Sequence, residues 1–307
     1  MQLPPLFNPS NDMALATNVA QYFPPRRIQQ MESDLRDLAR LWDEGPWGWS
    51  LATRQHYLRL GIPASELPSD GQLAEVRRLS SREFGISYYR QLVSALPPAW
   101  APSLVPCRAR FSIRPDEIAG DLILKSPWSS SGRGNILLRS EPDQATLRRI
   151  RRIIREQGGI AVEPFYADKV LDFAMEFQVA DDGAHFLGYS VFQADAEGRY
   201  GGNYVESQES LLRRIDLPDS LLQSLIRHHR EALSRLPYRG PVGIDMMRLG
   251  DGRVHPCVEI NFRRTMGHLA LLLYERGLTA DQLLAGNPTQ GFSAQIADGC
   301  LTITCHP

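Results

Sequence analysis

Lysine is nearly missing from this chain. Of its 34 basic residues two are lysines, Lys125 and Lys169, and the other 32 are arginines. Lysine is a compact point charge that reaches phosphate oxygens, whereas arginine is a rigid fork. Lys125 stands directly before Ser126-Pro127-Trp128-Ser129-Ser130-Ser131-Gly132-Arg133-Gly134-Asn135. Small residues and glycines in succession let backbone N–H groups approach and ring an anion. The run is neither GxxxxGK[ST] nor GxGxxG, so the P-loop and dinucleotide fingerprints are both lacking. Lys169 reads as a surface lysine in a turn.

A second set lies in residues 240–264, GPVGIDMMRLGDGRVHPCVEINFRR. Val242 to Leu249 and Val254 to Asn261 form a hairpin across Gly250-Asp251-Gly252. Period-two alternation puts Cys257, Glu259 and Asn261 on one face. A three-residue loop sets Asp245 opposite Cys257 and diagonal to Glu259, roughly 7–8 Å away. Two carboxylates this near repel unless a cation or proton compensates. Aspartate, glutamate and asparagine offer hard oxygens, which suits Mg2+ with phosphate completing its shell. A third set, Glu163-Pro164-Phe165-Tyr166, ends an apolar strand and offers a carboxylate, free backbone groups and aromatic faces to an adenine.

These residues need elements to hold them. Residues 1–105 are rich in Pro and Trp, with helices expected over Met31–Leu41, Thr53–Leu60, Gly71–Leu79 and Glu83–Leu96. Asn8 to Asp12 reads as a turn and helix cap. A proline-rich link at Pro97–Pro106 then gives way to strands alternating with helices. Asp121–Lys125, Ile136–Arg139 and Ile160–Pro164 are strands, and a helix from about Asp143 to Gln157 stops at Gly158-Gly159. Leu171–Ala180 and His185–Gln193 are strands about the Asp182-Gly183 turn. Ser220–Leu236 is a long helix on which His228 and His229 read as exposed or cap-side. Gly198–Tyr204 reads as a plain hairpin connection. Met266–Gly277 and Ala280–Leu284 are helices, and Leu301–Thr304 is an edge strand.

The 307 residues carry a net charge of -1, 43% hydrophobic and 22% charged residues, which indicates a globular chain with no global attraction to nucleic acid or anionic lipid. The arginines of LRRIRRIIRE form the solvated side of an amphipathic helix whose apolar face carries Leu147, Ile150 and Ile154. No apolar run approaches the ~20 residues of a membrane span, and no signal peptide is evident. A cytoplasmic protein is expected. Four cysteines without CxxC form no disulfide framework.

In this order and spacing the motifs resemble the ATP-grasp superfamily, especially D-alanine–D-alanine ligase and biotin carboxylase, over about Ser81 to Gly267. The most specific part is Asp245 followed by Glu259-Ile260-Asn261-Phe262-Arg263, similar to the family's Asp…Glu-x-Asn-x-Arg signature. The resemblance implies an α+β fold of two sheet-bearing lobes clasping ATP, with an N-terminal α/β region at residues 1–105. The ATP-grasp domain would span 106–307, with a small lobe at 106–166 and a large lobe at 167–307. It implies Lys125 on the phosphates and the loop Ser129, Ser130, Ser131, Gly132 and Gly134 over them. It also implies Glu163 and Phe165 at adenine, Asp172 at ribose, and Asp245, Glu259 and Asn261 on one or two Mg2+ ions, with Mn2+ as an alternative. Arg82 stands where the family has an earlier lysine, and Gly243 where the ligases have an arginine. That arginine's work would pass to Arg263 or Arg264, catalytic with Lys125. The activity implied is a ligase joining a small carboxylate to an amine, or to a thiol, through an acyl phosphate, with a homodimer as its expected assembly. A non-catalytic ATP-binding scaffold and an ATP-grasp kinase are the alternatives.

Overall fold

Among the described residues two antiparallel sheets, one of four strands and one of eight, carry Lys125, Glu163, Asp172, Asp245, Glu259 and Asn261. The computed structural model describes residues 2–129, 134–194, 200–278 and 282–306.

The chain begins with helices α1 (Asn11–Thr17), α2 (Arg26–Asp34), α3 (Leu51–Arg59), α4 (Asp70–Leu79) and α5 (Arg82–Ala95). The strands expected beside helices in residues 1–105 are not found among the described residues; an isolated bridge, Leu6 to Pro46, is the nearest approach. The expected helix at Met31–Leu41 is divided, with α2 ending at Asp34 and a 3-10 turn covering Arg36–Leu41. Ser81 caps α5 by accepting from the Phe84 N–H, which fixes Arg82 as its first residue.

The smaller sheet holds β1 (Arg110–Ser112), β2 (Leu122–Lys125), β3 (Ile136–Leu138) and β4 (Ile160–Pro164) in the order β1-β4-β2-β3. Helix α6 (Gln144–Gln157) covers it. Asp143 accepts from the Thr146 N–H at its start, and Gly158, at φ 84°, ends it in a conformation that glycine adopts freely. Ile150 and Ile153 bury against Leu124, Ile160 and Val162, while the arginines of α6 stay on the solvent side.

The larger sheet runs β10-β11-β12-β7-β6-β5-β8-β9. Its strands are β5 (Lys169–Ala180), β6 (Gly183–Ala194), β7 (Tyr200–Tyr204), β8 (Gly240–Leu249), β9 (Val254–Asn261), β10 (Gln282–Gly286), β11 (Gly291–Ala297) and β12 (Cys300–His306). Helices α7 (Gln208–Ile215) and α8 (Asp219–Ser234) pack their apolar faces on it, and α9 (Met266–Glu275) packs near its middle strands. The helix expected at Ala280–Leu284 is a strand from Gln282. The strand at Leu301–Thr304 is not an edge, because β12 is paired on both sides, by β11 and by β7. A tight turn at Asp298-Gly299, both at positive φ, brings β12 back along β11.

The N-terminal helices are part of the same cores. Leu79, Tyr89 and Leu92 join Phe173, Ile244 and Ile260, and Phe7, Leu38 and Trp47 join Leu269, Ala294 and Leu301. His229 is not exposed: it is fully buried against Tyr88, whose hydroxyl lies 2.8 Å from Nδ1. Burial depresses its pKa to about 3.

Candidate functional site

Strands β8 and β9 bring the acidic residues together, in a register the hairpin loop alone does not give. Near the loop Arg248 faces Val254 and Met247 faces His255, but further along Asp245 faces Glu259 and Gly243 faces Asn261. The ladder slips by two residues on β9 around Pro256, which has no N–H to donate. Asp245 is therefore directly opposite Glu259 rather than diagonal to it. Cys257 is turned away from the expected face into the apolar core with Ile260 and Phe262. Asn261 Nδ2 donates to Asp245 Oδ2 at 3.1 Å.

Sequence reading missed Glu176, the next acid. It lies on β5 opposite Gly243, 1% exposed, and accepts from Ser190 Oγ at 2.8 Å. Its Oε2 is 2.9 Å from His268 Nδ1. A Cβ on Gly267 would fall 1.9 Å from Glu176 Oε1, and one on Gly243 would fall 2.5 Å from Thr265 Cγ2. Glycine at 243 is thus required by the packing of Glu176 and Thr265, and no arginine fits there. The signal for Glu176 was a lone acid inside the apolar run Phe173-Ala174-Met175-Glu176-Phe177. Burial, then Glu259 and Glu176, push the Asp245 carboxyl well above the ordinary carboxylate range.

Arginines flank the acids. Arg82 is buried, donating Nε to the Ser126 carbonyl at 3.0 Å and Nη2 to Ser129 Oγ at 3.2 Å, with Nη2 3.0 Å from Glu259 Oε1. Its Nη1 has no hydrogen-bond partner among the described residues. Burial opposes the Arg82 charge, but Glu259 and Glu163 outweigh it and hold the pKa above the ordinary value. Arg263 is gripped by Asp12, Nε at 3.0 Å from both carboxylate oxygens and Nη2 at 2.7 Å, while Nη1 donates to the Arg264 carbonyl. Asp12 is therefore more than a helix-cap residue. Three of the five guanidinium N–H groups are used and two are left.

Arg264, expected beside Arg263, points elsewhere. Its guanidinium lies 5.0 Å from the Trp42 ring centroid and donates to the Glu44 carbonyl. Successive residues leaving a strand face opposite ways, so one of the pair had to be lost to the site.

On the smaller sheet the buried Lys125 forms an ion pair at 2.6 Å with Glu163, which is partly buried. Asp172 pairs with Lys169 at 2.5 Å, so Lys169 is not a free surface lysine. Burial raises the Asp172 pKa despite that partner. Phe165 is stacked under the Arg139 guanidinium at 4.1 Å and lines neither the cavity beside Glu163 nor the large one described below. Gly134 is exposed, its carbonyl accepting from Arg149. Ser130, Ser131 and Gly132 lie outside the described residues.

Two cavities adjoin these groups. The one beside Glu163, His255 and Arg82 holds about 20 Å³, too little for a purine. The other, of about 1250 Å³, is lined by Ser126 and Ser129, by Glu176, Asp245, Glu259, Asn261 and Arg263, and by residues of α1 and α2. No group of three or more His, Cys, Asp or Glu among the described residues is arranged to hold a metal alone. Asp245, Glu259 and Asn261 are an all-oxygen set whose shell an external oxygen ligand would have to complete, as Mg2+ with phosphate allows.

No family model matches the chain, and no curated protein matches it. Solved structures are similar in part. One is a carboxyaminoimidazole ribonucleotide synthase from Aspergillus clavatus complexed with ATP, 16% identical over 68% of this chain and 51% of that one, with a TM-score of 0.46. A biotin carboxylase from Campylobacter jejuni is 13% identical over 77% and 55%, with a TM-score of 0.48. A D-alanyl-alanine synthetase A from Vibrio cholerae is 13% identical over 61% and 56%, with a TM-score of 0.43. The chain spans about half the length of each. What the site does is argued from its own residues.

No helix among the described residues is long and apolar enough to cross a membrane.

Proposed function

We propose that the chain is an ATP-grasp protein that binds Mg-ATP between its two sheets and activates a small carboxylate as an acyl phosphate for attack by an amine. One observation carries this reading. Asp245, Glu259 and Glu176 crowd one wall of the large cavity, where Arg82 pairs with Glu259 and Asp245 has no cationic partner among the described residues, and the buried Arg82 Nη1 lacks an acceptor among those residues. A divalent cation carrying phosphate oxygens answers both needs at once.

Asp245, Glu259 and Asn261 would hold the ion, which would neutralise phosphate oxygens and draw charge from the breaking bond. Arg82 and Lys125 would hold the phosphates, with Ser129 beside them. The carboxylate oxygen bonds to the γ-phosphorus as the bond to the β,γ-bridging oxygen breaks, and ADP leaves with that electron pair. The amine nitrogen then bonds to the acyl carbon, loses a proton, and phosphate departs. Arg263, aimed by Asp12, offers its two remaining N–H groups to the carboxylate. Lys125, Glu163 and Asp172 occupy the side where adenine and ribose would enter, so purine binding requires the sheets to part there.

A nucleotide-binding scaffold without turnover is the second reading. Gly243, closed to any arginine by Glu176 and Thr265, is the observation that favours it. A cytoplasmic setting and a homodimer belong to the same proposal.

The test is a thermal-shift titration with Mg2+ and a non-hydrolysable ATP analogue, beside GTP and NAD. Saturation at 100 times Kd adds about 2.7 kcal/mol, which a melting curve resolves. A shift needing both Mg2+ and adenine nucleotide, lost in Glu259→Gln, is expected. No shift at millimolar nucleotide would refute the reading. ADP release with pooled carboxylates and amines separates ligase from scaffold.

A further inference from the structure

The large cavity does not stop at the carboxylates. From them it runs along the N-terminal helices, where its wall is made by Met13, Ile28, Met31, Met266, Phe292 and Ile303. Phe23, also in the lining, keeps 68% of its surface in solvent, so an apolar ring stands at the rim. Three of the protein's seven methionines line this one space. Methionine is unbranched and polarisable, and suits walls that adapt to varied apolar shapes. The N-terminal part of the lining includes no acid, and its one charged residue is Arg27, an exposed side chain at the rim.

Size decides how many molecules the space serves. A single small ligand takes a pocket of roughly 300–1,000 Å³, and about 1250 Å³ exceeds that. Phosphates beside Ser129 and the acids would leave the α1–α2 end free.

We infer that this end receives the body of the substrate acid, which is a monocarboxylate with a large apolar chain or ring. The inference rests on the ligase reading for the placement of the carboxylate, at Arg263 and the acid-bound cation. The apolar body then lies against Met13, Ile28, Met31 and Phe292. A second carboxylate on the ligand would find no cation among those side chains except Arg27 over the Phe292 ring, so desolvation weighs against dicarboxylates.

The experiment titrates the full chain, with and without Mg2+ and the non-hydrolysable ATP analogue, with hexanoate, octanoate, phenylpropanoate, succinate and glutamate. Isothermal calorimetry reads affinity. Apolar monocarboxylates should bind saturably and about tenfold or more tighter than the dicarboxylates. Met31→Glu should lower their affinity about tenfold while leaving the nucleotide-dependent melting shift intact, with Met13→Gln as a milder variant should Met31→Glu fail to fold. Dicarboxylates binding as well as octanoate, or wall variants without effect on affinity, would overturn the substrate class even where the nucleotide shift is present. Apolar acids that bind while no nucleotide shift appears would refute the ligase reading and support the ligand class of the cavity.

Discussion

The faces of the two sheets handle charge in opposite ways. On the smaller sheet Lys125 is paired with Glu163, and on β5 Lys169 is matched with Asp172, so the chain neutralises itself, and the cavity beside Glu163 is only about 20 Å³. On the larger sheet Asp245, Glu259 and Glu176 crowd one side of a 1250 Å³ cavity, with Arg82 matching only Glu259 and Arg263 committed to Asp12. Closed charge is a structural element that stabilises the fold as it stands. Open charge is a standing cost that an incoming ion can relieve.

Removing a charge should therefore have opposite signs in the two places. Lys125→Met strands Glu163 in a buried site and should cost about 3–5 kcal/mol, read by urea denaturation. The double variant Lys125→Met/Glu163→Gln should recover most of that loss, and a double variant as weak as the single would break the comparison.

Acid pH gives the next test, whose effect per substitution is smaller. The His229 pKa is depressed to about 3 and that of His255 to about 4, both by burial. The unfolded chain takes protons at these residues near pH 6.5 and the folded chain refuses them. Stability should fall as pH drops below about 6.5, by about 1.4 kcal/mol per unit for each histidine, until the folded values are reached. His229→Gln should remove about half of that slope in denaturation curves from pH 6 to 4.5. An unchanged slope would show that the acid sensitivity lies elsewhere.

Asp245→Asn tests the open side, with a smaller gain. Its folded pKa is raised, so it favours the fold below the unfolded carboxyl value and loses that contribution as pH rises through the folded value. Without metal, Asp245→Asn should melt about 1–3 °C higher than the parent at pH 8, and the gain should vanish near pH 4. The same variant should lose the Mg-nucleotide shift. A metal-free melting point that falls at pH 8 would mean the acids are already compensated within the fold.

Much of this arrangement was legible in the sequence because it is local. Asp143, Gly158 and the Gly250-Asp251-Gly252 loop bound their elements through chemistry contained within a few residues. The facing of Asp245 and Glu259 was legible only as proximity, since Pro256 shifts the ladder by two residues where a regular count continues. Partners distant in sequence were not legible. Asp12 reads as a helix start until Arg263 arrives 251 residues later, and Glu176 reads as a strand residue until Gly243 and Gly267 leave room for it. The fates of Arg263 and Arg264, adjacent and chemically identical, depend on which way each leaves β9.

The Asp12–Arg263 pair also orders events in time. Synthesis delivers helices α1 to α5 before the strands that follow them, and the residue that completes Asp12 emerges 251 residues after it. Until then Asp12 is a carboxylate without its guanidinium, and the cavity has no far wall. The site is thus incomplete until Arg263 has been made, and a chain interrupted before it would carry Asp12 without its guanidinium.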